Sequence, residues 1–224
     1  MNDQIDLYAN IHKGQRSRFF RIAMQAGTID YADQNSLDRL YGELNSFIEH
    51  MRLHAAAEEK YIHPMLSERV PGGARKLEED HRIINQRFDD LVTHFDGIRA
   101  QSADLRKRKE LTLEFYRAWN RFLSFYFLHI NKEEEQVTPI LWKLCTNEEL
   151  VTTFKMIMAS QKPDELRENF EMMLPAINLY ERVEMIRAGQ ASMPPEAFQG
   201  FLKLSERALS PEDWTRLKSK LESQ

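Results

Sequence analysis

The chain has 224 residues, enough for one good-sized domain or a domain with an appendage. A net charge of −4 with both signs mixed gives no basic footprint for nucleic acid, and the one cysteine, Cys145, excludes an internal disulfide framework and any CxxC metal or redox motif. No apolar run approaches the roughly 20 residues of a membrane span and the N-terminal segment lacks the apolar core of a signal peptide, so a soluble, cytoplasmic protein is expected.

Helix formers dominate, with only 8 glycines and 8 prolines, and strand-like alternation is hard to find, so the chain reads as all-α. A first helix is expected from about residue 3 to 26, ending at Gly27, with Ile5, Tyr8, His12, Phe19 and Ile22 on one stripe. A second should begin between Tyr31 and Ser36 and run to about Ser67; Leu37, Leu40, Leu44, Phe47, Met51, His54 and Glu58 recur at threes and fours, and Pro64 should bend or stop it. Pro71, Gly72 and Gly73 signal a turn, after which a third helix carries Leu77, His81, Ile84, Phe88 and Leu91 to about Ile98. A fourth takes up near Ser102 or Asp104 and carries Leu111, Phe115, Phe122, Phe125, His129 and Glu133, with Pro139 in the role of Pro64.

Thr146 followed by Glu149 is a capping box and opens a new helix, which places a break in architecture at 145: a bundle over 1–145 and a helical extension over 146–224. Within the extension, Lys162, Pro163 and Asp164 open one helix that Pro175 is expected to kink, Met193, Pro194 and Pro195 a further one, and Ser210 and Pro211 the last. All seven histidines lie before residue 130. The extension therefore carries no chemistry of its own, and its amphipathic helices are expected to pack on the bundle or to make a homodimer or protein contact.

The chemistry lies in a repeat. HAAAEEKYIHPML from His54 and HINKEEEQVTPIL from His129 share a histidine, a glutamate four places on, another next to it and a proline ten places on; the copies lie 75 residues apart. In the same register Tyr41 matches Tyr116, Asn45 matches Asn120 and Leu53 matches Leu128. Residues four apart on a helix sit one turn above each other, about 6 Å apart, so His54 with Glu58 and His129 with Glu133 can each aim a nitrogen and a carboxylate at one spot. A weaker duplication relates HKGQRSRFFRI from His12 to HRIINQRFDDL from His81. The order is thus His, HxxxE, His, HxxxE, and an antiparallel up-down four-helix bundle lets all six side chains reach one core. Two-fold repetition argues for two ions: His12 with His54 on one, His81 with His129 on the other, Glu58 and Glu133 bridging. Mixed nitrogen and carboxylate donors with open positions suit non-haem iron, with manganese or zinc as chemical competitors.

These residues resemble the hemerythrin-like, HHE cation-binding, family over about residues 5 to 145. The resemblance implies a di-iron centre, two iron ions sharing an oxygen bridge, with His12, His54, Glu58, His81, His129 and Glu133 as ligands. Oxygen-carrying members have a second histidine one turn after the one on the third helix, where this chain has Asn85. That departure resembles the bacterial H-HxxxE-H-HxxxE subgroup and points from oxygen carriage towards redox chemistry or sensing. The carriers also place the last bridging carboxylate where this chain has Glu134; spacing leaves Glu134 open, and the internal repeat favours Glu133.

The remaining polar residues have plainer readings. His50 matches Phe125 in the repeat and reads as packing, or as support for a ligand; His63 and His94 read as surface or capping groups. Glu59, Glu134 and Glu135 read as a solvated acidic edge from which Glu59 or Glu134 can orient a ligand histidine. Tyr8 and Tyr61 read as core, and Met156, Met158, Met172 and Met173 as adaptable packing. The expected function is binding or turnover of a small diatomic or peroxide (dioxygen, hydrogen peroxide or nitric oxide), with catalase-like peroxide decomposition as the enzymatic version. The other class is a non-catalytic iron, oxygen or nitric oxide sensor that signals through residues 146–224.

Overall fold

The structure is a computed structural model that describes residues 4–101 and 103–223. The described residues are 87% helical and hold no strand. None of the described helices is long and apolar enough to cross a membrane. Packing groups the described residues into two compact units, one of residues up to Leu7 with Arg18–Ala159, the other of Tyr8–Ser17 with Ser160 onward.

The first unit is the antiparallel four-helix bundle. Its helices are α1 (Ala9–Thr28, of which Arg18 onward belongs here), α2 (Gln34–Ala57), α4 (Arg75–Ala100) and α5 (Leu105–Lys132), with α3 (His63–Arg69) and α6 (Thr138–Leu144) prolonging α2 and α5. Aspartates start two of them. Asp33 accepts from the Asn35 and Ser36 amides ahead of α2, and Asp104 accepts from the Lys107 amide ahead of α5. Ser102, the other expected start, lies outside the described residues. Gly72, at φ 74°, turns the chain between α3 and α4.

The expected start of α1 at residue 3 lies outside the described residues, and the helix begins later than the Ile5 and Tyr8 stripe required. Three tertiary bonds hold the preceding segment out of helix: Gln4 Nε2 donates to the Cys145 carbonyl at 3.0 Å, the Ile5 amide to Asn147 Oδ1 at 3.0 Å, and Trp142 Nε1 to the Ile5 carbonyl at 3.0 Å.

Aromatic side chains fill the bundle below the site. Phe19 lies 4.6 Å from both Phe47 and Tyr126, centroid to centroid, and Phe88 lies 4.8 Å from Phe122. Trp119, fully buried, gives its indole N–H to the Phe19 carbonyl at 3.3 Å. Rings of this size contribute the largest apolar areas a core can bury and fix the helix spacing.

Neither Pro64 nor Pro139 stops its helix where it stands. Each follows a π turn, Glu58–Ile62 and Glu133–Val137, through which the helix continues to Arg69 and to Leu144. A proline clashes with the carbonyl four residues back and offers it no N–H, and one inserted residue relieves both faults. The bonds made instead span five residues, from the His63 amide to the Glu58 carbonyl and from the Thr138 amide to the Glu133 carbonyl.

The first unit also takes in α7 (Asn147–Ser160) as far as Ala159. Thr146 and Glu149 form the expected reciprocal cap, at 2.7 and 3.2 Å; Glu149 also pairs with Arg69, and Thr153 lies against Met65.

The second unit has its own core of Leu174, Val183, Ile186, Phe201, Leu204 and Leu217. It is built from α8 (Pro163–Met173), α9 (Leu179–Ser192), α10 (Pro195–Ala208), α11 (Pro211–Glu222) and the start of α1. Pro175 does not kink a helix, as expected, but separates two. The chain passes through a short 3-10 turn, Leu174–Ala176, and Asn178 then caps α9 reciprocally with Glu181. Gly14 of α1 comes so close to α8 that a Cβ there would lie 3.1 Å from Met173 Cα, and Lys13 pairs with Glu181. Met156 is half exposed in α7 rather than packed.

Candidate metal centre

Both π turns start at a glutamate of the HxxxE repeat, and both glutamates point inward: Glu58 is 3% exposed and Glu133 fully buried. His81 on α4 and His129 on α5 reach the same place. One ligand atom from each of Glu58, His81, His129 and Glu133 lies within 4.8 Å of the other three.

The contacts are directional. Glu58 turns its two oxygens to two different histidines, Oε1 to His54 Nε2 at 2.9 Å and Oε2 to His81 Nε2 at 3.3 Å. Glu133 Oε1 lies 3.1 Å from His129 Nε2 and 3.8 Å from His81 Nε2. Glu134 is half-buried and absent from this cluster, so Glu133 is the carboxylate that the helix brings in. His54, His81, Glu58, His129 and Glu133 therefore meet in the first unit. His12 is buried on α1 in the second, its ring 5.4 Å from that of Tyr8.

The far nitrogens are held from behind. His81 Nδ1 lies 2.9 Å from Glu59 Oε1, which keeps Nε2 facing the two buried glutamates, so Glu59 orients a site histidine, one of the two uses expected of it. Behind His129 Nδ1, at 3.6 Å, sits Asp80 Oδ2, too long for a hydrogen bond but close for a charge. Asp80 is itself buried and bonded to Lys132 Nζ at 2.5 Å and Lys76 Nζ at 3.3 Å. Sequence reading missed Asp80. Its signal was an acidic residue on the apolar face of α4, between Leu77 and Ile84.

Two carboxylates in one buried pocket demand positive charge. Burial by itself lowers His81, yet hydrogen bonds and charge from Glu133 and Glu58 overcome this and raise the ring from 6.5 to about 11. Burial and the charge of Glu58 work to raise Glu133, but bonds from His129 and His81 hold it below its usual range. Burial likewise opposes ionisation of Asp80, and Lys132 and Lys76 outweigh it. A di- or trivalent cation meets the same demand with far more charge than one proton. Imidazole nitrogens with carboxylate oxygens, free of thiolate, are the donors that non-haem iron, manganese and zinc accept, so the residues present fit a metal.

The other histidines divide. His63 is no surface group: it is 1% exposed and stacked on His81, with ring centroids 5.3 Å apart, and burial pushes it below the usual imidazole range. The π turn, invisible in the sequence, swings it inward. His94, half-buried, bonds the Leu111 carbonyl at 3.1 Å, and His50 is buried on α2. Asn85 stands one turn beyond His81 and is half-buried.

Comparison with protein families matches residues 3–141 to the hemerythrin HHE cation-binding domain. No curated protein matches the chain.

Proposed function

This chain belongs to the hemerythrin HHE cation-binding family, and from that premise we propose that it is a cytoplasmic non-haem di-iron protein that binds or turns over dioxygen, hydrogen peroxide or nitric oxide. In this reading His12 and His54 hold one ion, His81 and His129 the other, and Glu58 and Glu133 bridge. When bound, iron supplies a reversible one-electron change at each ion and open positions for a small oxidant.

The observation that carries the reading is the two-sided contact of Glu58, one oxygen on His54 and the other on His81. A carboxylate so placed serves two ions, whereas a single-ion ligand needs one face only. The protein's own groups do the rest. Glu59 keeps His81 Nε2 turned to the centre, Asp80 ties α4 to α5 through Lys132, and Phe19, Trp119 and Tyr126 pack as a buried aromatic layer in the same bundle. Asn85 stands where the carriers have a histidine, so an ion held by His81 and His129 would have one protein donor fewer and a position for substrate.

Turnover decides between enzyme and binder. Iron-loaded protein given excess peroxide should evolve oxygen through many cycles; consumption of a single equivalent supports the sensor reading instead. One observation favours that second reading: Tyr8–Ser17, which carries His12, is grouped with the tail helices, where Lys13 pairs with Glu181. Ligation of His12 would then be felt in the tail, the part proposed to meet a second copy or a protein partner.

A further inference from the structure

The two π turns are built alike and end differently. Five residues beyond Glu133 stands Thr138, whose Oγ1 donates to the Glu133 carbonyl at 3.1 Å and is thereby satisfied. Five residues beyond Glu58 stands His63. In an α-helix a residue five places on lies about 140° round the axis. The five-residue bond from the His63 amide to the Glu58 carbonyl brings this side chain back over Glu58 and into the bundle.

There its ring lies nearly parallel to that of His81, at 21°, and among the described residues neither ring nitrogen has a hydrogen-bond partner. The Glu78 carboxylate is 4.0 Å from Nδ1, beyond bonding range. A neutral imidazole carries one donor and one acceptor, and burying both unused is unfavourable where a phenyl ring or an aliphatic group would fill the same space at no such cost. Packing alone thus gives no reason for a histidine here. Its surroundings give one, because the groups beside it are Glu58 and His81 of the metal centre.

We propose that His63 is a binding residue for the small polar molecule held at the centre, giving or accepting one hydrogen bond to the oxidant, or to the water that the oxidant displaces. The proposal rests on the function proposed above. It adds a recognition group that the two-fold repeat lacks on its other half and makes the site selective for ligands able to hydrogen-bond at the His63 side.

Azide is the probe. Full-length protein is loaded with ferric iron, iron per chain is counted, and azide is titrated by its visible absorption in the parent and in His63→Phe, His63→Leu and His63→Gln. Both apolar variants should keep the parent's iron content and bind azide about tenfold more weakly, the equivalent of about 1.4 kcal/mol for one lost hydrogen bond; His63→Gln should keep most of the affinity. Equal azide affinity in a fully loaded apolar variant overturns the proposal. So does loss of iron from a variant of unchanged helix content, since His63 would then hold metal and not ligand. A parent that takes up no iron overturns the function proposed above and this inference with it, whereas a loaded parent with insensitive variants overturns this inference alone.

Discussion

Glu59 Oε1 meets His81 Nδ1 at 2.9 Å from the position next to Glu58, so two adjacent glutamates of one π turn grip opposite edges of the same imidazole. In the proposed centre one edge would hold the ion and the other is the handle. Glu59→Ala should leave the number of metal ions at saturation unchanged and weaken the affinity by about 10- to 100-fold, the usual effect of removing the group behind a ligand histidine. Competition with a chelator of known affinity measures this.

His81 also sets a pH dependence. Its folded value of about 11 lies above the ordinary 6.5, so the stability it brings to metal-free protein is fully present below about 6.5 and is lost as pH rises through about 11. Denaturation of chelator-treated protein across that window should show the slope, and His81→Ala should flatten it. Near neutral pH this ring is protonated, so metal uptake should release its proton. Calorimetric titration in two buffers of different ionisation enthalpy should find about one proton fewer released by His81→Ala.

Asn85 is half-buried one turn beyond His81. Asn85→His should supply the missing donor to the ion at His81, slow the reaction with peroxide and lengthen the life of any oxygen adduct, all measurable by stopped-flow absorption. A variant as fast as the parent removes the argument from an open position.

Gly14 faces backbone, with Met173 Cα 3.1 Å and the Met172 carbonyl carbon 3.2 Å from where a Cβ would lie. Gly14→Leu gains up to about 1 kcal/mol of helix propensity, but overpacking against atoms that cannot swing aside costs typically about 1–3 kcal/mol. Net destabilisation should appear as a lowered Tm, with protease sites opening first in residues 160–223.

The fold class and the meeting of His54, Glu58, His81, His129 and Glu133 were legible because helical spacing and the internal repeat are local signals. The capping box at Thr146 and the N-cap at Ser210 were legible for the same reason. The π turns were not: a proline after HxxxE reads as a break, and the inserted residue that carries the helix past it leaves no mark in the sequence. His63 was misread as a surface group because straight-helix geometry points it elsewhere. Asp80 escaped notice because its partners, Lys132 and His129, come from another helix, and the late start of α1 depends on bonds to residues about 140 positions away.

The central claim is a pair of ions bridged by Glu58 and Glu133, and counting iron tests it most directly. Protein reconstituted with ferrous iron without oxygen, freed of excess and assayed for metal against chain concentration, should hold about two irons per chain, as the two-fold set of donors requires. Glu58→Ala and Glu133→Ala should each hold fewer than the parent. One iron per chain at saturation, or retention of zinc alone, would contradict the account.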